Sequence, residues 1–181
     1  HHNSPMSAAA EVLWFNGVVV VVSAGNKGPS GGYNTANAAP AHDPFLITVG
    51  AMDEKGTSKT RDDAPGAYSA FGTTSNGFAK PNIMAPGSKI ISVLSQVSSW
   101  DEQAPDRVVA GAYFRLSGTS MAAPMVAGAV ALLLQDEPNL TPDQVKYRLM
   151  NTGSMMVDPG SGVNTPYLNV YNAVTGNTTQ S

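Results

Sequence analysis

The chain alternates between short, almost purely apolar runs and polar stretches rich in glycine and proline. In "SPMSAAAEVLWFNG", Met6, Ala9, Ala10 and Leu13 fall at helical spacing, with Glu11 on the water side. Ser4 suits the N-cap, Pro5 the first helical position and Gly17 the stop. Five valines, Val18 to Val22, follow at once with no alternation, which predicts a strand buried on both faces at the centre of a parallel sheet. A helix feeding such a strand predicts an α/β fold. Further strands are expected in "FLITVGAM" (Phe45–Met52), in "AYSAF" (67–71), and in "IMAPGSKIISVL", interrupted at Pro86-Gly87. "VVAGAYFRL" (108–116) is also strand-like. Residues 27–44, 53–65 and 98–107 read as loops. Ser120 to Gln135 is apolar around its whole circumference, which predicts a helix buried inside the domain. In "LTPDQVKYRLM", Thr141 and Gln144 form a capping box with Pro142 at the first position. "VNTPYLNVYNAV" predicts a short strand and a terminal helical turn.

Composition narrows the class. Of 181 residues, 42% are hydrophobic and 13% charged, enough apolar surface for a folded core. No internal repeat or interdomain linker interrupts residues 1–176, so one domain is expected, followed by a polar tail, 177–181. The net charge of −3 and the absence of a basic run argue against nucleic acid as a partner. With no cysteine there is no disulfide, thiolate metal site or cysteine nucleophile. The valine run is too short to cross a bilayer, and no membrane partner is expected. The opening residues carry no basic start or apolar core of a secretory leader. His1-His2 is either native or a tag remnant. Asn139 and Asn177 begin triplets of the glycosylation-acceptor type, a weak pattern.

The densest chemical signal is "FRLSGTSMAAPMVAG" (Phe114–Gly128). Pro124 is tolerated in the first turn of a helix, which puts Ser120 at or next to the helix N-terminus. Free backbone N–H groups and the helix dipole favour negative charge there, so an oxyanion forming beside the serine would be stabilised. On this stretch alone, Thr119 or Ser120 serves equally well as an ordinary N-cap.

"VVVVVSAGNKG" upstream and "SGTSMAAPMVAGAVALLL" downstream together resemble the subtilisin-like serine proteases, the subtilase family. "DPFLITVGAMD", "KPNIMAPGSKIIS" and "NVYNAV" resemble that family's segments in the same order, so the likeness runs from about Pro5 to about Val174. The resemblance implies a three-layer α/β fold with a mostly parallel central sheet. It implies serine endopeptidase chemistry on a polypeptide substrate, and a secreted or extracellular location. Carried over by position, it makes Ser120 the nucleophile and Asn26 an oxyanion donor beside the Ser120 N–H, with Gly118 and Thr119 as support. Ser23, Ala24 and Gly25 would form one wall of the pocket for the residue before the scissile bond. Ala38, Ala39 and Pro40 would form the facing wall, and Lys27 would sit at the rim. Lys27 there would give a mild preference for acidic or polar side chains, unless it is simply an exposed lysine.

Three features depart from the family pattern. Met125 stands where many relatives carry a structural histidine. Asn82 stands where an aspartate often helps to hold a weak cation, so no cofactor is expected and a weak structural calcium near Ala41–Leu46 is the disfavoured alternative. The third departure is larger. The family orders its triad Asp, His, Ser, with the first two upstream of the Asn motif. Here no Asp-Ser/Thr-Gly or His-Gly-Thr segment is present, and His42 lies between Asn26 and Ser120, in the wrong order and context. The chain is therefore expected to be the C-terminal part of a catalytic domain whose N-terminal part is its missing partner. Alone it would hydrolyse peptides poorly, expose apolar surface and tend to associate. A non-catalytic fragment or pseudoprotease that binds peptide or a partner chain is the alternative. The serine-carboxyl peptidases share the "SGTS" element but place an acid where Asn26 stands. A nucleotide site at "GNKGPSGG" lacks both the Gly-x-Gly-x-x-Gly and the Gly-Lys-Ser/Thr pattern.

Overall fold

A computed structural model describes residues 4–28, 38–157 and 164–176. In chain order the elements are α1 (Pro5–Phe15), β1 (Val21–Ser23), β2 (Ile47–Asp53), β3 (Ala64–Pro65), β4 (Gly72–Thr73), β5 (Ala79–Lys80), β6 (Ile83–Pro86) and β7 (Ile90–Val93). There follow α2 (Trp100–Gln103), β8 (Val108–Val109), β9 (Tyr113–Leu116), α3 (Thr119–Asp136), α4 (Pro142–Thr152), β10 (Ser154–Val157), β11 (Asn164–Tyr167) and α5 (Val170–Thr175). The main sheet runs β1-β2-β6-β11-β10, with β3 added to the end of β2. β1, β2, β6 and β11 pair in parallel, and β10 and β3 pair antiparallel. This is an α/β fold with a mostly parallel sheet, as expected from helix and two-sided strand. A three-stranded antiparallel sheet, β7-β9-β8, stands beside it.

Alternation along the central strands sorts the core into two parts. Ile47, Val49 and Ala51 of β2 and Ile83 and Ala85 of β6 join a cluster with Trp14 of α1, Ala122, Val126, Ala129 and Leu133 of α3, Val145 and Leu149 of α4, and Ala173 of α5. Met52, Met84 and Tyr167 form a second, smaller cluster with Met156.

The local signals hold where partners are near in sequence. Ser4 Oγ accepts the Ser7 N–H at 3.3 Å, and Gly17, with φ +87°, follows the end of α1. The capping box is reciprocal, with Thr141 N–H donating to Gln144 Oε1 (2.9 Å) and Gln144 N–H to Thr141 Oγ1 (3.3 Å). The break at Pro86-Gly87 separates β6 from β7, and the last strand and helical turn are β11 and α5.

Several expectations need correction. The valine run gives only a three-residue strand, half-buried, at the edge of the described sheet. A strand is buried on both faces only when helices and neighbours cover it, and among the described residues β1 has one neighbour, β2. α1 buries Ser7, Ala10 and Trp14, spaced i, i+3, i+7, and turns Met6 and Leu13 outward. The indole decides that face, because Trp14 Nε1 donates to Asp143 Oδ1 at 3.1 Å. α3 is not buried all round: Met125 and Leu132 are exposed. By length and composition alone α3 could cross a membrane, but in this fold its Ala122–Val126–Ala129–Leu133 face packs into the larger cluster. "AYSAF" is not a strand. It is a loop pinned by Ala51 N–H to Ser69 Oγ (2.9 Å) and by Ala70 N–H to Gly25 O (2.9 Å). "SSWDEQAPDR" holds α2 and a 3-10 turn, Pro105–Arg107, and β10 was not anticipated. The tail 177–181, the acceptor at Asn177 and residues 29–37 of the first long loop lie outside the described residues.

Candidate active site

The site is built where β1 ends. Ala24 is buried, and its N–H bonds Val49 O of the neighbouring strand at 2.9 Å. Gly25 then turns the backbone with φ +106°, a conformation that side-chain-bearing residues rarely adopt. This aims its N–H at Thr119 Oγ1, 3.1 Å away across 94 positions of sequence. Asn26 follows, exposed at the strand's C-terminal end, where open α/β sheets place their sites.

The other side of the site is the start of α3. Gly118 donates its N–H to Gly87 O at 2.9 Å, and a Cβ on it would come within 3.2 Å of Asn26 Nδ2. A side chain at 118 would therefore press the Asn26 amide away. Thr119 is fully buried. Its N–H and its hydroxyl both donate to Asn26 Oδ1, each at 2.9 Å. A backbone N–H can only donate, so the asparagine atom facing it must be the oxygen. The orientation of the Asn26 amide is thus set, and its Nδ2 is left as the free, donating end. It finds no acceptor among the described residues.

The first turn of α3 carries the complementary feature. Thr119 N–H is taken by Asn26, and the Met121 and Ala122 N–H groups both reach Gly118 O, at 3.0 and 3.3 Å. Ser120 N–H is left without a protein acceptor among the described residues, at the positive end of the helix dipole. Pro124 departs from the expectation of a first-turn proline. It is the sixth residue of α3, one turn further in. Its missing N–H is the one that would have bonded Ser120 O, so the helix is loosened at the serine. Ser120 itself is exposed. Two N–H donors and one hydroxyl are therefore presented at one place, with the buried Thr119 behind them.

The remaining predicted residues are less closely joined. Ser23 and Gly25 are half-buried, Lys27 is exposed, and Ala38, Ala39 and Pro40 form a turn closed by His42 N–H to Ala38 O (3.0 Å) and Asp43 N–H to Pro40 O (3.0 Å). No hydrogen bond among the described residues connects that turn to Ser23–Gly25. His42 sits in the turn with neither ring nitrogen hydrogen-bonded to a partner among those residues, Ser120 included.

Sequence reasoning missed the groups that hold the 41–46 loop. Lys80, 1% exposed, donates to Asp43 O, to Leu46 O (3.4 Å), to Thr48 Oγ1 (2.9 Å) and to Asn82 Oδ1 (2.9 Å). Lys146 donates to Pro44 O (2.7 Å) and Phe45 O (2.9 Å). The four carbonyls from 43 to 46 are thus held by two ammonium groups. Burial lowers Lys80 to about 7, helped by the charge of Lys146, and lowers Lys146 to about 8. Lys80 Nζ thus occupies the oxygens of Asp43, Leu46 and Asn82 around this loop, and no cluster of three or more His, Cys, Asp or Glu occurs among the described residues. A lysine just before Pro81 and the strand "NIMAP" is too weak a signal for any of this.

An exposed serine and an oriented amide are thus joined through a buried threonine at a strand end of an α/β sheet. The comparisons give this arrangement a family. Residues 2–174 match the subtilase family, peptidase S8, and the chain belongs to it. It is 44% identical over 147 residues to serine protease AprX of Bacillus subtilis, covering 81% of this chain and 33% of that protein. It is 36% identical over 156 residues to subtilisin DY of Bacillus licheniformis, covering 86% and 47%. Among solved structures, fervidolysin from Fervidobacterium pennivorans, a keratinolytic enzyme related to subtilisin, superposes with a TM-score of 0.68 at 30% identity, over 94% of this chain and 24% of that one. The chain therefore spans between a third and a half of the two curated relatives.

Proposed function

We propose that this chain carries the nucleophile and oxyanion donors of a subtilisin-type serine endopeptidase, with the catalytic Asp and His contributed by a preceding part of the same domain. The observation that carries this reading is the double hydrogen bond from Thr119 to Asn26 Oδ1, which turns Asn26 Nδ2 away as a donor, beside a Ser120 N–H that likewise has no acceptor among the described residues. In the reaction, Ser120 Oγ attacks a peptide carbonyl while the histidine takes its proton. The carbonyl oxygen becomes an oxyanion held by Asn26 Nδ2–H and Ser120 N–H. The amine leaves with a proton, and water hydrolyses the acyl-enzyme. Loss of one such donor costs on the order of 10²–10³ in turnover, a figure measured on subtilisin itself. In this reading residues 1–176 are the C-terminal part of the catalytic domain, polypeptide is the substrate, and the location is extracellular as in the family pattern. No metal is assigned, because Lys80 fills the charge that a cation at 41–46 would supply.

The open side of the molecule supports the missing partner. α1 exposes Met6, Val12, Leu13 and Phe15, and among the described residues β1 pairs with β2 alone. The same features favour the second reading, a non-catalytic chain that binds a peptide or partner there. A fluorophosphonate probe separates the two. The catalytic reading expects labelling of Ser120 once a segment bearing Asp-Ser/Thr-Gly and His-Gly-Thr is added, weak labelling without it, and none in Ser120→Ala. Absence of labelling in the reconstituted protein favours the second reading. Lys27 is assigned a small role at the pocket rim. Lys27→Glu should lower the ratio of Glu- to Phe-peptide cleavage several-fold, and an unchanged ratio disposes of that assignment.

A further inference from the structure

A concavity of about 420 Å³ lies against the antiparallel sheet, lined by Lys89, Asp106, Arg107, Arg115 and Ser117. Three of the ten basic residues of an acidic chain meet there. Four of the other seven are engaged elsewhere, and Lys27, Lys59 and Arg61 lie outside the hollow. Lys55 pairs with Asp53, Arg148 pairs with Glu137, and Lys80 and Lys146 are turned onto carbonyls. Lys89, Arg107 and Arg115 have no carboxylate within ion-pair distance among the described residues. The one bond found for the Arg115 guanidinium is to the main-chain oxygen of Asp106, at 3.3 Å. Three cations around a single lining carboxylate leave a net positive hollow whose guanidinium forks match a carboxylate.

The hollow is tied to the nucleophile by the backbone. Lys89 N–H donates to Ser117 Oγ at 2.8 Å, β7 pairs with β9 from Ile90 opposite Leu116, and β9 runs on through Ser117 and Gly118 into Thr119 and Ser120. Ser117 and Ser120 are three residues apart, so their Cα atoms lie within roughly 11 Å. An extended peptide advances about 3.3 Å per residue, which sets the hollow about two to three residues from a scissile bond at Ser120. Resting on the proteolytic reading above, we propose that this hollow is a subsite for a peptide carboxylate two to three residues from the scissile bond. The carboxylate is either an Asp or Glu side chain or the chain terminus. This is separate from the rim position of Lys27.

The test is fluorescence anisotropy on this chain with labelled peptides in which one Glu is moved along the sequence, each against its Gln twin, and each as C-terminal acid and amide. One Glu position, or the terminal acid, should bind about five- to tenfold tighter than its neutral twin, and the ratio should fall towards one at high salt. Arg107→Gln with Arg115→Gln should remove the ratio. Lys89→Met, at an exposed position, serves as a second variant should the double one melt early. Equal binding of Glu and Gln peptides at every position, no binding of either, or an unchanged ratio in both variants overturns the subsite. Probe labelling of Ser120 after the segment bearing Asp-Ser/Thr-Gly and His-Gly-Thr is added reports on the proteolytic reading separately. Labelling without discrimination sinks the subsite alone, and discrimination without labelling sinks the catalysis alone.

Discussion

β1 and β2 start from similar apolar runs and end differently. β2 lies between β1 and β6, and from Ile47 to Met52 it is fully buried. β1 has β2 on one side only and is half-buried throughout. The same contrast separates their helices. α3 puts Val126 and Leu133 completely out of water, whereas α1 leaves Leu13 and Phe15 about half or more exposed. Five valines measure what a strand can bury, and its neighbours decide what it does bury. The α1–β1 region is thus a place where apolar sequence and described structure do not agree.

The sharpest break of this comparison is in the core. Leu133→Ala should destabilise the chain by about 2–5 kcal/mol in a denaturant titration, since both transfer free energy and a cavity are at stake. A loss near that of an exposed position would mean that the α3 side is no better packed than the open one. Next is Thr119→Val, which keeps the volume but removes the hydroxyl between Gly25 N–H and Asn26 Oδ1. It should cost about 1–3 kcal/mol and lower fluorophosphonate labelling in the reconstituted protein, while Thr119→Ser should restore most of both. If Val and Ser behave alike, the hydroxyl does not hold the amide.

Protonation tests the closed side from another direction. Lys80 and Lys146 titrate near 7 and 8 when folded, against about 10.4 in an unfolded chain. Between about pH 7 and 10 the unfolded chain holds more protons, so the contribution of these two groups to stability rises with pH. It is lost as pH falls through the folded values. The melting temperature should therefore carry an upward component from pH 7 to 9.5, and Lys80→Met should flatten it. A slope unchanged in Lys80→Met would mean that Lys80 keeps its ordinary affinity for protons. The smallest effect belongs to the open side. Leu13→Ala should shift the stability of this chain by no more than about 0.5 kcal/mol. It should weaken association with the preceding segment proposed above, measured by co-purification.

Local patterns carried much of this molecule. The N-cap at Ser4, the box at Thr141 and Gln144, the break at Pro86-Gly87 and the α/β order were legible because each rests on residues within a few positions of one another. The juxtaposition of Asn26 with Gly118–Ser120 was legible only through family likeness, since 94 residues separate the serine from the amide. That Thr119, by two donors, turns the Asn26 amide outward was not legible at all. Nor were the two lysines on the 41–46 loop, or the basic hollow, whose Lys89, Arg107 and Arg115 are scattered along the chain. Alternation puts Arg115 of β9 and Ser117, one residue past its end, on one side of the chain, but no local rule brings Arg107 beside them.

By itself the sequence determined which segments can be helix or strand, which ends are capped, and which family's motifs the chain carries. Those properties follow from backbone sterics, short-range hydrogen bonds and the amount of apolar surface each segment must hide. Only the tertiary structure decided which face of α1 turns inward, how many neighbours β1 has, where buried ammonium groups find oxygen, and which amide hydrogens stay free beside Ser120. Each of these depends on a partner distant in sequence, and a single chain's pattern records the need for a partner without saying which one meets it.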